Sequence, residues 1–111
     1  MIHTLVNFHV HPSKVHEFES LHRRLLHSMS HQHGCIDIRV HRSLKTPHEY
    51  VVYGTWESKE AWDSAHQTPE FRTQFQNLPV EARTLSSASF FELAYEYKGS
   101  NCSSKYWPPT G

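Results

Sequence analysis

Histidine is the residue type in this sequence with the greatest capacity for chemistry. The chain of 111 residues holds 11 histidines, as many as its aspartates and glutamates together. Because imidazole titrates near neutral pH, each histidine could serve as a general base, a general acid or a metal ligand. The net charge should also rise steeply between about pH 7.5 and 5.5, so we expect lower stability or altered assembly in mild acid.

The densest group of possible metal ligands comprises His27, His31, His33 and Cys35. His27 and His31 are one helical turn apart, but the face that they share points away from the apolar stripe of the predicted helix. His33 falls in the turn that ends this helix and Cys35 begins a strand, so the side chains leave in different directions. A structural zinc site needs about four converging ligands and a catalytic site three. The pattern therefore predicts a solvated helix end without a metal site, although so many histidines could bind metal adventitiously.

Strand-like and helical periodicities alternate along the chain and set the positions of these histidines. Period-two alternation predicts strands, and apolar residues three or four apart predict helices. The patterns predict a strand at 2–12, a helix at 14–31, strands at 35–43 and 50–57, helical segments at 59–67 and from 68 onward, and a last strand at 89–97. This β-α-β-β-α-β order predicts an α+β, ferredoxin-like fold with an antiparallel sheet.

The two faces of the first strand differ in composition. One carries Val6, Phe8 and Val10, and the other carries Asn7 and His9. One sheet face packs on the helices, and a second copy of the chain is the most economical cover for the other. We expect Asn7 and His9 to face the helices and the apolar set to face the second copy, in a homodimeric α/β barrel. Residues 1–98 should form this domain, and residues 99–111 a tail that is either flexible or packed on the partner subunit.

Composition argues against several classes of function. Lysine plus arginine equals aspartate plus glutamate at 11 each, and without a basic stripe we expect no nucleic-acid partner. The longest apolar runs are far too short for a membrane span, and the first residues do not follow a signal-peptide pattern. Two cysteines do not make a secreted disulfide framework. We therefore expect a soluble cytoplasmic protein.

Three segments carry a family resemblance: "LVNFHVHPSKVHEF", "HQHGCIDIRV" and "YVVYGTWESKEAWDSAHQTPEF". Their markers are a strand followed by Pro-x-Lys-x-x-x-Phe, a Gly-Cys turn, Trp-Glu-Ser closing the third strand, and Thr-Pro-x-Phe. In this order, over about residues 2–97, they resemble the antibiotic biosynthesis monooxygenase (ABM) family. The resemblance implies a dimeric ferredoxin-like barrel with a small-molecule pocket between each sheet and its own helices. It does not name one reaction, because members include cofactor-independent monooxygenases of quinols and anthrones, haem-degrading oxygenases and an isomerase of a phosphorylated signalling sugar.

The resemblance also assigns roles to particular residues. Asn7 coincides with an asparagine that oxygenase members use to hold substrate or an oxygen intermediate. Trp56 coincides with a tryptophan that either stacks on a flat substrate or fills the core. Two places where family members usually carry histidine hold Ala65 and Glu70 here. His66 lies one residue after the first of these places, which rotates its side chain by about 100° on a helix.

Haem degraders carry tryptophan at the place of Ala65 and a ligating histidine at the place of Phe75, so haem degradation is the poorest match. The leading hypothesis is a cofactor-independent monooxygenase that acts with dioxygen on a small aromatic, quinol- or anthrone-like substrate. Deprotonation of a phenolic substrate needs a base of near-neutral pKa, for which histidine is the natural candidate. The predicted catalytic residues are Asn7, His9 and His66, and the predicted substrate-binding residues are His22, Tyr53, Trp56 and Phe71; no cofactor is expected.

Three questions stay open at this point. His22, at the edge of the apolar stripe of the first helix, is either a core histidine with satisfied hydrogen bonds or a pocket residue. The missing histidine at Ala65 favours a non-catalytic, small-ligand-binding dimer as an alternative function. An isomerase of a phosphorylated sugar is a further alternative, for which Arg39 and Arg72 are candidate phosphate-binding residues.

Overall fold

The computed structural model describes residues 1–84 and 87–100 of the chain. Four strands form one antiparallel sheet in the order β2-β3-β1-β4. The strands are β1 (Ile2–His9), β2 (Cys35–Arg42), β3 (Glu49–Trp56) and β4 (Ser87–Phe91); the helices are α1 (Val15–Ser30), α2 (Lys59–His66), α3 (Pro69–Gln76) and α4 (Val80–Thr84), and a 3-10 turn at Pro12–Lys14 precedes α1. The predicted α+β, ferredoxin-like fold is confirmed.

Helix α1 packs on the sheet through the predicted apolar stripe. It ends at Ser30, and the chain turns into β2 at Gly34, whose φ of 85° lies in the left-handed region that favours glycine. A Cβ at Gly34 would also lie only 2.4 Å from Cβ of Ala61, so this turn packs tightly against α2. The buried residues of the stripe are Phe18, His22, Leu25 and Met29.

Side-chain caps fix where the next two helices begin. The hydroxyl of Ser58 accepts a hydrogen bond from the backbone N–H of Ala61 at 3.1 Å, and the hydroxyl of Thr68 accepts one from Phe71 at the same distance. Both caps satisfy first-turn donors that otherwise have no partner. They hold α2 and α3 over the sheet.

Within the described chain, no helix is both long and apolar enough to cross a membrane.

The C-terminal part of the described chain differs from the prediction in two ways. Helix α4 is not predicted from the sequence, and β4 is shorter than the predicted strand at 89–97. Phe91 pairs with His3, near the beginning of β1. Residues 92–97 therefore run past the end of the neighbouring strand and find no ladder partner among the described residues. Residues 101–111 of the predicted tail lie outside the described residues.

The register of β1 decides which side chains face the helices. Phe8 pairs with Tyr50, and its ring centroid lies 5.5 Å from that of Phe18 in α1. Val6 lies on the same face of β1, and Val10 is buried. The expectation that these apolar residues face a partner subunit is wrong. Period-two alternation separates the two sets of residues, but the set of Asn7 and His9 also has an apolar member, Leu5, so alternation alone does not say which set meets the helices.

We call the helix-covered side of the sheet the inner face and the other side the outer face. Asn7 pairs with Val51 and His9 pairs with Glu49, all on the outer face. Nδ1 of His9 lies 3.3 Å from Oε1 of Glu49, and both side chains are more than two-fifths exposed. The expectation that Asn7 and His9 face the helices is therefore also wrong.

Candidate functional site

A cavity of 340 Å³ lies between the inner face of the sheet and helices α1, α2 and α3. This volume is at the small end of the range for ligand sites. Its position agrees with the pocket that the family resemblance implies. The strand residues that line it include Thr4, Val6, Phe8, Ile38, Val52, Gly54 and Trp56, and the helix residues include His22, Leu25, Met29, Trp62, His66, Phe71 and Phe75.

Aromatic rings from β3, α2 and α3 meet at this cavity. Trp56 is 2% exposed and belongs both to the core and to the cavity lining, so its two predicted roles are compatible. The rings of Phe71 and Phe75 are stacked, with centroids 5.4 Å apart. A lining of aromatic faces with few polar groups favours a flat, apolar ligand.

His66, the last residue of α2, brings a base to this aromatic lining. Its ring stacks on Trp62, with centroids 3.9 Å apart, and lies 4.6 Å from the ring of Phe71. The residue before it, Ala65, is buried. His66 lines the cavity although it lies one helical position after Ala65, the place where the family resemblance leads us to expect a histidine.

The backbone of α2 sets the tautomer of His66. Nδ1 lies 2.7 Å from the carbonyl oxygen of Trp62. A carbonyl oxygen can only accept, so Nδ1 carries the proton and Nε2 keeps its lone pair in the neutral ring. Nε2 makes no hydrogen bond within the described chain. It is thus free to accept a proton from a ligand.

Burial lowers the pKa of His66, and the hydrogen bond to Trp62 and the carboxylate of Asp63 offset this only in part. A histidine with a lowered pKa is mostly neutral at pH 7. His66 therefore has the protonation state of a general base.

His22 is a second imidazole at the cavity. It is 4% exposed, and its ring stacks on Phe18 with centroids 4.7 Å apart and meets Phe8 edge-on at 5.2 Å. Desolvation lowers its pKa to about 4, although the carboxylate of Glu19 acts in the opposite direction. Its ring nitrogens have no hydrogen-bond partner among the described residues. His22 is thus a pocket residue and not a core histidine with satisfied hydrogen bonds.

Two polar groups adjoin at the strand side of the cavity because Gly54 has no side chain. Thr4 is buried, and its hydroxyl makes a long hydrogen bond of 3.5 Å to the carbonyl of Gly54. A Cβ on Gly54 would lie 2.8 Å from this hydroxyl and 3.1 Å from Nε1 of Trp56. The Thr4 hydroxyl can donate or accept and the Trp56 N–H can donate. Both are suited to hold an oxygen atom of a ligand.

The structure does not bring all the predicted site residues together. His22, Trp56, His66 and Phe71 line the cavity. Tyr53 is on the outer face opposite Leu5, 38% exposed. Asn7 and His9 share that face, so the sheet separates these three residues from the cavity.

Trp62, Thr4 and Gly54 belong to the site but were not among the residues predicted from the sequence. The spacing of Trp62 and His66, one helical turn apart, would have indicated that their rings meet. A glycine inside a predicted strand indicates a close approach, as at Gly54. For Thr4, only the register of the strands places it under the helices.

The two histidines at the end of α1 contact each other at the surface. The rings of His27 and His31 lie 4.7 Å apart, and Nδ1 of His31 is 2.7 Å from the carbonyl oxygen of His27. In residues 1–84 and 87–100, no three His, Cys, Asp or Glu side chains group so as to hold a metal ion.

A sequence model of the antibiotic biosynthesis monooxygenase family matches residues 1–77, more than half of the chain. The chain belongs to this family. No curated protein sequence matches it significantly. The family assignment thus rests on the domain model, and it agrees with the fold and with the position of the cavity.

Several solved structures have the same fold. An antibiotic biosynthesis monooxygenase is 16% identical, with a TM-score of 0.78, over 86% of this chain and 100% of that one. SnoaB, a cofactor-independent oxygenase from Streptomyces nogalater, is 23% identical, with a TM-score of 0.76, over 86% and 94%. A conserved protein from Methanosarcina mazei Go1 is 23% identical, with a TM-score of 0.74, over 81% and 89%. At these identities the similarity shows a shared fold.

Proposed function

We propose that the chain is a cofactor-independent monooxygenase that uses dioxygen to oxidise a small aromatic, quinol- or anthrone-like substrate. The observation that carries this proposal is the position of His66 at an aromatic-lined cavity, with Nδ1 bonded to the carbonyl oxygen of Trp62 and Nε2 left free to accept a proton. Membership in the ABM family supports the reaction class. The similarity in fold to SnoaB, which is described as a cofactor-independent oxygenase, is consistent with it.

In this mechanism the substrate ring stacks among the aromatic side chains while Nε2 of His66 removes an acidic proton from it. The Thr4 hydroxyl and the Trp56 N–H hold the oxygen atom on which negative charge develops. The resulting electron-rich anion transfers electrons to dioxygen, and a carbon–oxygen bond forms. For an anthrone, the CH₂ carbon loses two hydrogens and becomes a carbonyl. One oxygen atom of dioxygen stays on the carbon and the other leaves as water.

The direct test is oxygen consumption with anthrone and with 1,4-dihydroxynaphthalene, corrected for autoxidation. With ¹⁸O₂, mass spectrometry of the anthraquinone should show one labelled atom. His66→Ala should lower the enzymatic rate by about 10²- to 10⁴-fold, the usual contribution of a general base. The matched control is His16→Ala, an exposed histidine of α1, which should keep the rate. Oxygen uptake that never exceeds autoxidation, or that is unchanged in His66→Ala, would contradict the proposal.

A second candidate is a protein that binds the same class of ligand without turning it over. It is favoured by Ala65, which is buried where the family resemblance leads us to expect a histidine. Ligand-induced thermal stabilisation without oxygen uptake would distinguish it from the enzyme. The alternative of a phosphorylated-sugar isomerase has less support, because the candidate residues Arg39 and Arg72 are exposed and do not line the cavity.

We also infer that the chain forms a homodimer through the outer face. Within the described chain this face has no cover, and Tyr53 and Phe91 are 38% and 53% exposed on it. Leu93 and Tyr95, beyond β4, are also exposed, at 62% and 79%. An apolar surface of this kind favours a protein partner. Light scattering should give the mass of a dimer, and Phe91→Glu should shift it to that of a monomer; a monomeric wild-type chain would exclude the inference.

A further inference from the structure

A second pocket, of 530 Å³, lies directly beside the aromatic cavity. His22 and Leu26 line both spaces, so the two pockets adjoin at these residues of α1. The second pocket differs in chemistry from the first. Besides the shared His22, its polar lining residues are Glu19, Arg23, His41, Arg42 and Tyr50, and we call it the arginine pocket.

A tight network positions the charges of the arginine pocket. Oε2 of Glu19 accepts hydrogen bonds from the Tyr50 hydroxyl at 2.5 Å and from Nη2 of Arg42 at 2.6 Å. These bonds, that of Tyr50 first, lower the pKa of Glu19, so it is a carboxylate at neutral pH. Tyr50 is 3% exposed and packs on Phe18, so packing fixes the position of its hydroxyl in the network.

This network does not neutralise all the positive charge of the pocket, and some of its N–H donors have no hydrogen-bond acceptor in it. Two guanidinium groups face one carboxylate. The bond to Glu19 uses one of the five N–H donors of Arg42. Arg23 is less committed still: its Nη2 is 3.7 Å from Glu19, and its side chain is 80% exposed. A planar anion such as a carboxylate matches the geometry of these donors.

We propose that the arginine pocket is a subsite for the anionic arm of a ligand whose aromatic ring occupies the cavity. This inference rests on the proposed function, because it takes the cavity as the place of the ring. It narrows the substrate class from neutral aromatics to aromatic carboxylic acids. Arg23 and Arg42 bind the carboxylate, and His22 and Leu26 lie beside the linker between ring and charge.

The test compares two ligands that differ in charge but hardly in shape, naphthalene-2-acetate and naphthalene-2-acetamide. Binding is measured by isothermal titration calorimetry at pH 7.5 and low salt. The wild-type chain should bind the acid about five-fold more tightly than the amide, the effect of a few partly exposed charge contacts. In the double variant Arg23→Gln/Arg42→Gln the preference should disappear, while the affinity for the amide stays the same.

Arg24→Gln is the matched control, because Arg24 is the exposed neighbour of Arg23 on α1 but does not line the arginine pocket. It should keep the preference for the acid. If the double variant does not fold, Arg23→Gln alone should reduce the preference about two-fold, since its exposed side chain carries little structure. Binding of the amide without any preference for the acid would overturn the inference and leave the proposed function standing. Binding of neither ligand would overturn the inference, and it would overturn the proposed function as well only if oxygen uptake with anthrone also never exceeded autoxidation.

Discussion

Histidines lie on both sides of the sheet, but those on the inner side are largely buried and the one paired with Glu49 on the outer face is half-exposed. On the inner side, His66 and His22 lie among aromatic rings, and desolvation lowers the pKa of both. On the outer face, His9 is half-exposed and lies beside Glu49. The chemistry available to a histidine is thus decided by its surroundings, because a neutral imidazole with a free lone pair arises where burial disfavours the charged form.

The largest expected effect is on turnover, and it tests whether the inner or the outer face carries the catalytic residue. We expect His66→Ala to lower turnover by about 10²- to 10⁴-fold, and His9→Ala to lower it at least ten-fold less, because the sheet lies between His9 and the cavity. Steady-state oxygen uptake of both variants with the same substrate measures the difference. A larger loss in His9→Ala would place the chemistry on the outer face.

The next effect concerns the pH dependence of stability. The pKa of His22 is about 4 in the folded chain against an ordinary value of 6.5, so between these values the unfolded chain binds more protons. Its contribution is therefore complete above about pH 6.5 and is lost as the pH falls toward 4. The difference corresponds to about 3 kcal/mol, which already includes the opposing effect of the Glu19 carboxylate on His22. The lowered pKa of His66 acts in the same direction.

Urea unfolding at pH 7.5, 6 and 5 measures this loss. His22→Leu should flatten the dependence, whereas His16→Leu, at an exposed position of the same helix, should not. Equal free energies of unfolding of the wild-type chain at pH 7.5 and 5 would show that the burial of His22 does not control its titration.

A smaller effect on stability is expected at Gly54, where the backbone of β3 lies close to the side chains of Thr4 and Trp56. Gly54→Ala places a Cβ 2.8 Å from the Thr4 hydroxyl, and overpacking of this kind costs about 1–3 kcal/mol. It should also weaken ligand binding, because the Trp56 ring must shift. Gly99→Ala is the matched control, since nothing lies within 4 Å of its added Cβ. Thermal unfolding compares the two variants, and equal melting temperatures would refute the close approach.

The smallest effect belongs to the outer face. Glu49→Gln removes the charge beside His9, and an exposed ion pair contributes at most about 1 kcal/mol, often nothing measurable. We expect the free energy of unfolding to change by less than about 0.5 kcal/mol. A loss as large as that of Gly54→Ala would show that the dimer interface also covers this pair, which lies at the other end of β1 from Phe91.

Local signals made most of the fold predictable. The apolar stripe of α1, the caps at Ser58 and Thr68, and the turn at Gly34 each depend on residues close in the chain. The strand at 89–97 was predicted too long because a strand ends where its neighbour ends, and this is not a local property. Helix α4 follows Pro79 without a strong periodic signal.

The candidate site was only partly predictable. Of the residues that the sequence predicts for the site, His22, Trp56, His66 and Phe71 line the cavity, and their roles stay predictions. Tyr53 and Trp56 were assigned to one pocket although they are three residues apart on one strand, and period two puts such residues on opposite faces. That part of the error was visible in the sequence. The assignment of Asn7 to the helix side was not, since both sets of β1 contain apolar residues.

The sequence by itself determined the order of the elements, the family resemblance and the set of histidines that could act as bases. These properties follow from periodicity and residue type, which are local. Only the tertiary structure decided which face of β1 meets α1, that His22 lacks a hydrogen-bond partner in the described chain, and that two arginines adjoin the aromatic cavity. Burial, tautomer and pocket shape depend on contacts between residues far apart in the chain, and those contacts form only when the sheet and helices pack.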